Sequence, residues 1–261
     1  MASIWKMEPI LINITSKNTN VTGVSYVGGI GGYMVDSYSL YADNVTVTGK
    51  SYVGGIAGDS TSYEMHVRDS NIIATGNYVG GIVGREQYNM VKSEVINTNV
   101  KSTGDYVGAV AGIFSSNTNN NGAYYAQDCT VEGNAYVGGI VGRCNRYVRN
   151  SYTNSKVIAT NHSAGGVVGY LNNANMTNAS NQRSIRQNIV AGASVQAKSN
   201  VGGLVGYIED NLYMPETYFY GNFIQADISS EDNTTVSLGI GNMPNQTQYL
   251  SDTYYYKYST I

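Results

Sequence analysis

The 261 residues carry 15 Lys and Arg against 18 Asp and Glu, a net charge of −3 with only 13% of positions charged, which excludes a surface built as a whole to attract nucleic acid. With 31 Gly, 24 Tyr and 3 Pro beside many Asn, Ser and Thr, the composition is one of strands and turns and argues against a helical protein. No apolar run approaches the ~20 residues that cross a bilayer, and two cysteines, Cys129 and Cys144, are too few for a disulfide scaffold and read as separate thiols.

The chain opens MASIWKMEPILINIT, which lacks the charged head, apolar stretch and small-residue cleavage site of a secretory signal, and its first three residues read as the start of a domain excised from something longer. Alternation in ILINIT predicts one strand within residues 5–15. Residues 1–20 are therefore expected to cap the first end of the architecture that follows, where unpaired backbone groups would otherwise be exposed.

From residue 21 to 261 one heptapeptide organises the chain: YVGGIGG from Tyr26, YVGGIAG from Tyr52, YVGGIVG from Tyr78, YVGAVAG from Tyr106 and YVGGIVG from Tyr136. SAGGVVG from Ser163 and NVGGLVG from Asn200 keep its spine, and SLGIGN from Ser237 reads as an eighth, degenerate copy. A period in the twenties and thirties, with length variation confined to one segment, marks a stacked repeat. The prediction is an all-β protein, a parallel β-solenoid (β-helix) of about eight coils with about three short strands per coil, roughly 38 Å of stack at ~4.8 Å per rung.

Within one repeat the heptapeptide is followed by a polar turn, a short strand such as MHVRDS, a corner, a second short strand such as NIIATG, and the next heptapeptide. Alternation in the last strand gives inward columns of Val45 and Val47, Ile72 and Ala74, Val100 and Ser102, Cys129 and Val131, Val157 and Ala159, Val195 and Ala197. Cys129 is then a core thiol. The strand before the corner supplies Val67, Val91, Ala126, Val148 and Ile185 in the same way.

The paired glycines need their own cause, since each costs about 0.5–1 kcal/mol in a strand relative to Ala. They are Gly28 and Gly29, Gly54 and Gly55, Gly80 and Gly81, Gly108, Gly138 and Gly139, Gly165 and Gly166, and Gly202 and Gly203. A bend or close backbone approach there lets the preceding Val and the following Ile both turn inward. A phosphate cradle would need a strand-to-helix junction with a nearby Lys or a distal acidic residue, and the sequence has neither. The column Tyr26, Tyr52, Tyr78, Tyr106, Tyr136 reads as a stacked ladder before it reads as a ligand platform.

Little points to catalysis. His66 and His162 lie in no metal-ligand spacing, no G-x-S-x-G occurs, and no cofactor is implied. Polysaccharide-cleaving enzymes on this architecture need paired carboxylates in a groove; Asp69, Glu94 and Asp128, with Glu209, Asp210, Glu231 and Asp232 in loops, make no clear column. Two surfaces remain as candidates for a partner. One is a basic column, Arg68, Lys92, Arg149 and Arg186 with Gln127 between, suited to an acidic glycan or protein face. The other is a loop edge where segments lengthen after the heptapeptide, from Asn117 to Tyr124, Asn172 to Asn181 and Glu209 to Met214.

These repeats resemble the GLUG repeats of large bacterial surface proteins, above all those in the amino-terminal part of the streptococcal immunoglobulin A metalloprotease family, and the closing YLSDTYYYKYSTI looks like the end of that region. The resemblance covers about residues 20–261. It implies a parent protein secreted and wall-attached in a Gram-positive bacterium, with its zinc site in an HExxH region absent here, so no catalytic residue carries over. The expectation is a non-catalytic, monomeric module that positions an enzyme, contacts neighbouring domains or helps hold a host glycoprotein or glycan, without nucleic acid or membrane insertion. An adhesin or stalk segment, and a free-standing polysaccharide-cleaving β-helix, are the alternatives.

Overall fold

A computed structural model describes residues 10–88, 90–115, 122–145, 147–172, 183–209, 217–232, 235–242, 249–251 and 254–255. Among them every regular element is a strand and every pairing between strands is parallel, which makes the protein a β-solenoid. One rung shows the plan: Val79–Gly80, Val83–Glu86, Val91–Ile96 and Asn99–Ser102. The heptapeptide thus contributes two strands where one was expected, each the member of its own eight-stranded sheet. The two strands after it share a third wall, a 15-stranded sheet folded along a corner.

The fold of the heptapeptide onto two walls explains its glycines. A Cβ on Gly84 would stand 2.4 Å from the carbonyl carbon and 2.6 Å from the Cα of Tyr52, in the rung below. The two walls therefore touch backbone to backbone, at a distance no side chain permits. At the bend itself, a Cβ on Gly81 would stand 2.1 Å from the Ala109 carbonyl oxygen. The bend stays hydrogen-bonded rung to rung, Gly55 N–H to Gly81 O at 3.1 Å and Ile56 N–H to Ile82 O at 2.9 Å. Val53, Val79, Val107 and Val137 line one wall and Ile56, Ile82, Val110 and Ile140 the next, all at 0% exposure. Each such side chain contributes about 1.5–3 kcal/mol by leaving water.

The corner in the third wall is made by Asn18, Asn44, Asp69, Asn97 and Asp128, all left-handed with φ between 46 and 54°. Asn and Asp tolerate this conformation because their short polar side chains bond locally. Here they also bond along the stack: Asn44 Nδ2 donates to Asn18 Oδ1 (2.8 Å), Asn97 Nδ2 to Asp69 Oδ1 (2.6 Å) and Asn154 Nδ2 to Asp128 Oδ1 (2.8 Å).

This ladder corrects the register read from alternation. Val47, not Val45, pairs with Ile72, which pairs with Val100 and then Val131, so Cys129 lies one pair earlier than expected. It is nonetheless a core thiol, 2% exposed, and burial pushes it up to about 11. Before the corner, Val67 pairs with Val95 and then Ala126, Thr153 and Val190, whereas Val91 is only half-buried. Val148 and Ile185 pair with each other in a separate four-stranded sheet, formed where the later coils lengthen. In the last rung Val236, not Leu238, pairs with Val201. At the other end Ile12–Lys17 pairs in parallel with Tyr38–Asp43 as a first rung of the long sheet, and residues 1–9 of the expected cap lie outside the described residues.

Candidate functional site

The outward side of the third wall displays one straight column, Tyr41, His66, Glu94, Tyr125 and Tyr152, on five successive rungs. Tyr41 stacks on His66 with centroids 4.9 Å apart, and Tyr125 on Tyr152 at 4.8 Å. Between these pairs Glu94 accepts from Arg68 and lies 3.2 Å from His66 Nδ1. Burial pulls the Glu94 carboxyl upward, but the hydrogen bonds from Arg68 and His66 outweigh it and hold the group below its ordinary 4.5.

The sign of that shift gives a pH prediction. A depressed carboxyl contributes stability that is present above its unfolded value and lost as pH falls through the folded one. Glu94→Gln is expected to lower stability at neutral pH by at most about 1 kcal/mol, as a partly exposed pair. The gap between the two melting curves should close on titration to below the ordinary carboxylate range. A gap that widened in acid would contradict the arrangement.

Around the corner from this column lies a polar cleft of about 370 Å³, lined by Asp69, Asn71, Asn97, Asn99, Asp128 and Thr130 among others. The two are linked through Gln127, whose Oε1 accepts from the Tyr125 hydroxyl (2.8 Å) and whose Nε2 donates to Asp128 (2.9 Å). The cleft therefore combines amides, hydroxyls and carboxylates at rung spacing with neighbouring phenols, the donor and acceptor set that recognises neutral polar ligands. Asp69 and Asp128 do share a column, contrary to the sequence reading of the carboxylates. They stand two rungs, about 10 Å, apart, and each takes an amide proton from the corner ladder.

The basic column is not assembled. Arg68 pairs with Ile96, and Lys92 lies four residues upstream on that strand, across from Glu64 at 3.9 Å. Arg68 and Lys92 share the outward side with Glu94, Glu64 and the Lys17–Asp43 pair (2.7 Å), so the charges there alternate. Arg149 and Arg186 are neighbours, but on the separate four-stranded sheet, where Arg186 donates to the Tyr220 hydroxyl and lies over its ring.

The loop edge is also changed. Tyr124 is 1% exposed and its hydroxyl donates to the Met90 carbonyl (2.5 Å), with burial holding the phenol well above its usual range. It points inward because Gly122–Gln127 begins the next rung before the predicted loop ends. Asn172 is 5% exposed and donates to Asn145 Oδ1 at 3.0 Å. Glu209 is half-buried and takes the Tyr170 hydroxyl. Asn117, Asn181 and Met214 lie outside the described residues.

The cleft escaped sequence reasoning because its residues come from a corner that alternation alone could not locate. The usable signal was the recurrence of Asn or Asp at 18, 44, 69, 97, 128 and 154.

The tyrosine column is a ladder. Rings of Tyr26, Tyr52, Tyr78, Tyr106 and Tyr136 stack at 4.7 to 5.1 Å, each near parallel to the next. Their faces are used by one another, and Tyr170 stands T-shaped against Tyr106 and Tyr136. All five residues hold positive φ, 53 to 64°, a strain that repeated ring stacking offsets.

Scanned against models of known protein families, the sequence finds no match, and comparison with curated proteins also finds none. Among solved structures the chain is similar to the crystal structure of a "putative immunoglobulin A1 protease" from Bacteroides ovatus, with a TM-score of 0.55 and 15% identity over 85% of this chain and 68% of that one. At that identity the likeness shows a shared fold.

Proposed function

We propose that this chain is a non-catalytic binding and positioning module of a larger extracellular bacterial protein, of the GLUG-repeat kind found in immunoglobulin A protease-like metalloproteases, and that it engages a host glycoprotein through the corner cleft. The observation that carries the reading is the cleft, where Asn71, Asn97, Asn99 and Thr130 present hydrogen-bonding groups on a rigid stack, with Tyr125 tied to its rim through Gln127 and Asp128. The heptapeptide repeat and the fold shared with a protein named as a protease support the wider setting.

Because Arg68 and Lys92 face carboxylates, neutral hydrogen bonding dominates this side of the molecule, and affinity should change little as salt shortens the screening length. The test titrates the chain with neutral oligosaccharides and host glycoproteins at low and high salt, and repeats it with Asn71→Ala/Asn99→Ala. Salt-tolerant binding weakened about tenfold by the pair is expected, in line with the loss of two hydrogen bonds. Binding indifferent to the pair would remove the cleft from the reading. Turnover of any of these ligands by the chain alone would replace it with the enzyme alternative.

A further inference from the structure

Along the corner ladder Asn stands at 18, 44, 97 and 154, and Asp at 69 and 128. The Asn44 amide on Asn18 shows that two amides close a rung of it as well as an amide and a carboxylate do, at 2.8 Å in both cases. The corner itself therefore has no need of negative charge. Yet both carboxylates fall on the rungs of the cleft, no Lys or Arg lines it, and among the described residues neither Asp makes an ion pair. Arg68, next to Asp69 in the chain, is engaged by Glu94.

Beside the ladder runs a second column, Asn71, Asn99 and Thr130, paired strand to strand. Asn71 and Asn99 are exposed and Thr130 is half-buried, and among the described residues their side chains take part in no hydrogen bond. An amide and a hydroxyl each donate and accept, so the three residues offer the same pair of functions at intervals of about 4.8 Å along the stack. Every residue lining the cleft is polar, which leaves no apolar pocket for the alternate side chains of a peptide. The strands here are already paired on both edges, so none can be added. What fits is a ligand with hydroxyls on every unit and a unit length close to one rung.

We propose that the cleft holds a linear, neutral glycan of β-1,4-linked pyranoses lying along the stack, one sugar to a rung over Asn71, Asn99 and Thr130, and that Asp69 and Asp128 filter out acidic sugars. The proposal rests on the reading of the cleft as the binding site. An equatorial linkage keeps such a chain extended and advances it by about one rung per sugar, whereas a bent linkage carries the second sugar off the column. A carboxylate on the chain would be brought up to Asp69 or Asp128 with no cation lining the cleft to separate the like charges. Sugar hydroxyls, in contrast, can donate to the same two side chains, so a neutral chain loses nothing by their presence.

The test follows glucose, cellobiose, cellotriose, cellotetraose and cellotriuronate, in which carboxylates replace the hydroxymethyl groups, binding to the whole chain by ligand-observed NMR. Affinity is expected to rise about fivefold with each sugar up to cellotriose, as for one added hydrogen bond, and to level off at cellotetraose. Cellotriuronate should bind at least about tenfold more weakly than cellotriose, a gap that narrows as salt screens the charges. Asp69→Asn/Asp128→Asn should bind the two trimers within about twofold of each other, a gain that loss of fold cannot produce, and Asn already holds the left-handed corner at Asn18, Asn44 and Asn97. Equal affinity of the parent for the two trimers, or rejection of cellotriuronate that persists in the double variant, would overturn the filter. Affinity that does not grow with chain length would overturn the axial strand. No binding by any cello-oligosaccharide would overturn the proposal alone, because the glycoprotein titration with Asn71→Ala/Asn99→Ala decides the cleft separately.

Discussion

Val100→Asp is expected to destroy the cooperative melt of the central rungs, with a loss of about 4 kcal/mol or more, because the new carboxylate would be buried without a partner. Val100 is 0% exposed and sits between Ile72 and Val131 in the interior column, and Val137 holds an equally buried place on the first heptapeptide wall. The outward Thr46 on the same sheet is half-buried and pairs with Asn20 and Asn71, so Thr46→Asp should stay within about 0.5 kcal/mol of the parent, as surface changes do. Thermal and urea melts of the two variants decide it. Equal shifts at Val100 and Thr46 would show that the walls face the wrong way.

Gly84→Ala is the second large effect, and it needs only one methyl group. That methyl has to push apart two hydrogen-bonded sheets, since its neighbours at 2.4 to 2.6 Å are backbone atoms of Tyr52 and Gly58 that cannot rotate away. A loss of about 3 kcal/mol is expected, at the upper end for overpacking. Gly192→Ala is the control, because a Cβ there meets nothing within 4 Å and bears only the strain of a φ of +77°, about 1–2 kcal/mol. The fourth heptapeptide already carries Ala109 at the bend, so the wall contact, more than the bend, is what demands glycine. A Gly84→Ala chain as stable as the Gly192→Ala chain would refute the backbone contact between walls.

The repeat, its parallel stacking and the inward set were legible because a period-2 pattern recurring with the same spacer leaves few other ways to bury Val and Ile. Registers were less legible for the same reason. Alternation looks identical when a strand slides by two or four residues, so Val91 and Val95 are indistinguishable by pattern, and only the left-handed Asx corner at Asn97 separates them. That slip turned Arg68, Lys92, Arg149 and Arg186 into a column they do not form. The splitting of the heptapeptide between two walls was hidden too, since a glycine pair signals close approach without saying what approaches.

The stacking also sets how the chain can fold. Each strand finds its partner on the preceding rung, so a finished rung is a complete template and the next needs only one loop closure of similar length. By the logarithmic cost of closing a loop, a coil of 37 residues is only a few tenths of a kcal/mol harder to add than one of 26. Folding can therefore advance as a front from the amino end, with no strand waiting for a distant part of the chain to be made. For a polypeptide emerging amino end first from a narrow opening, every rung laid down would resist back-sliding, and the growing stack would act as a ratchet drawing the rest through.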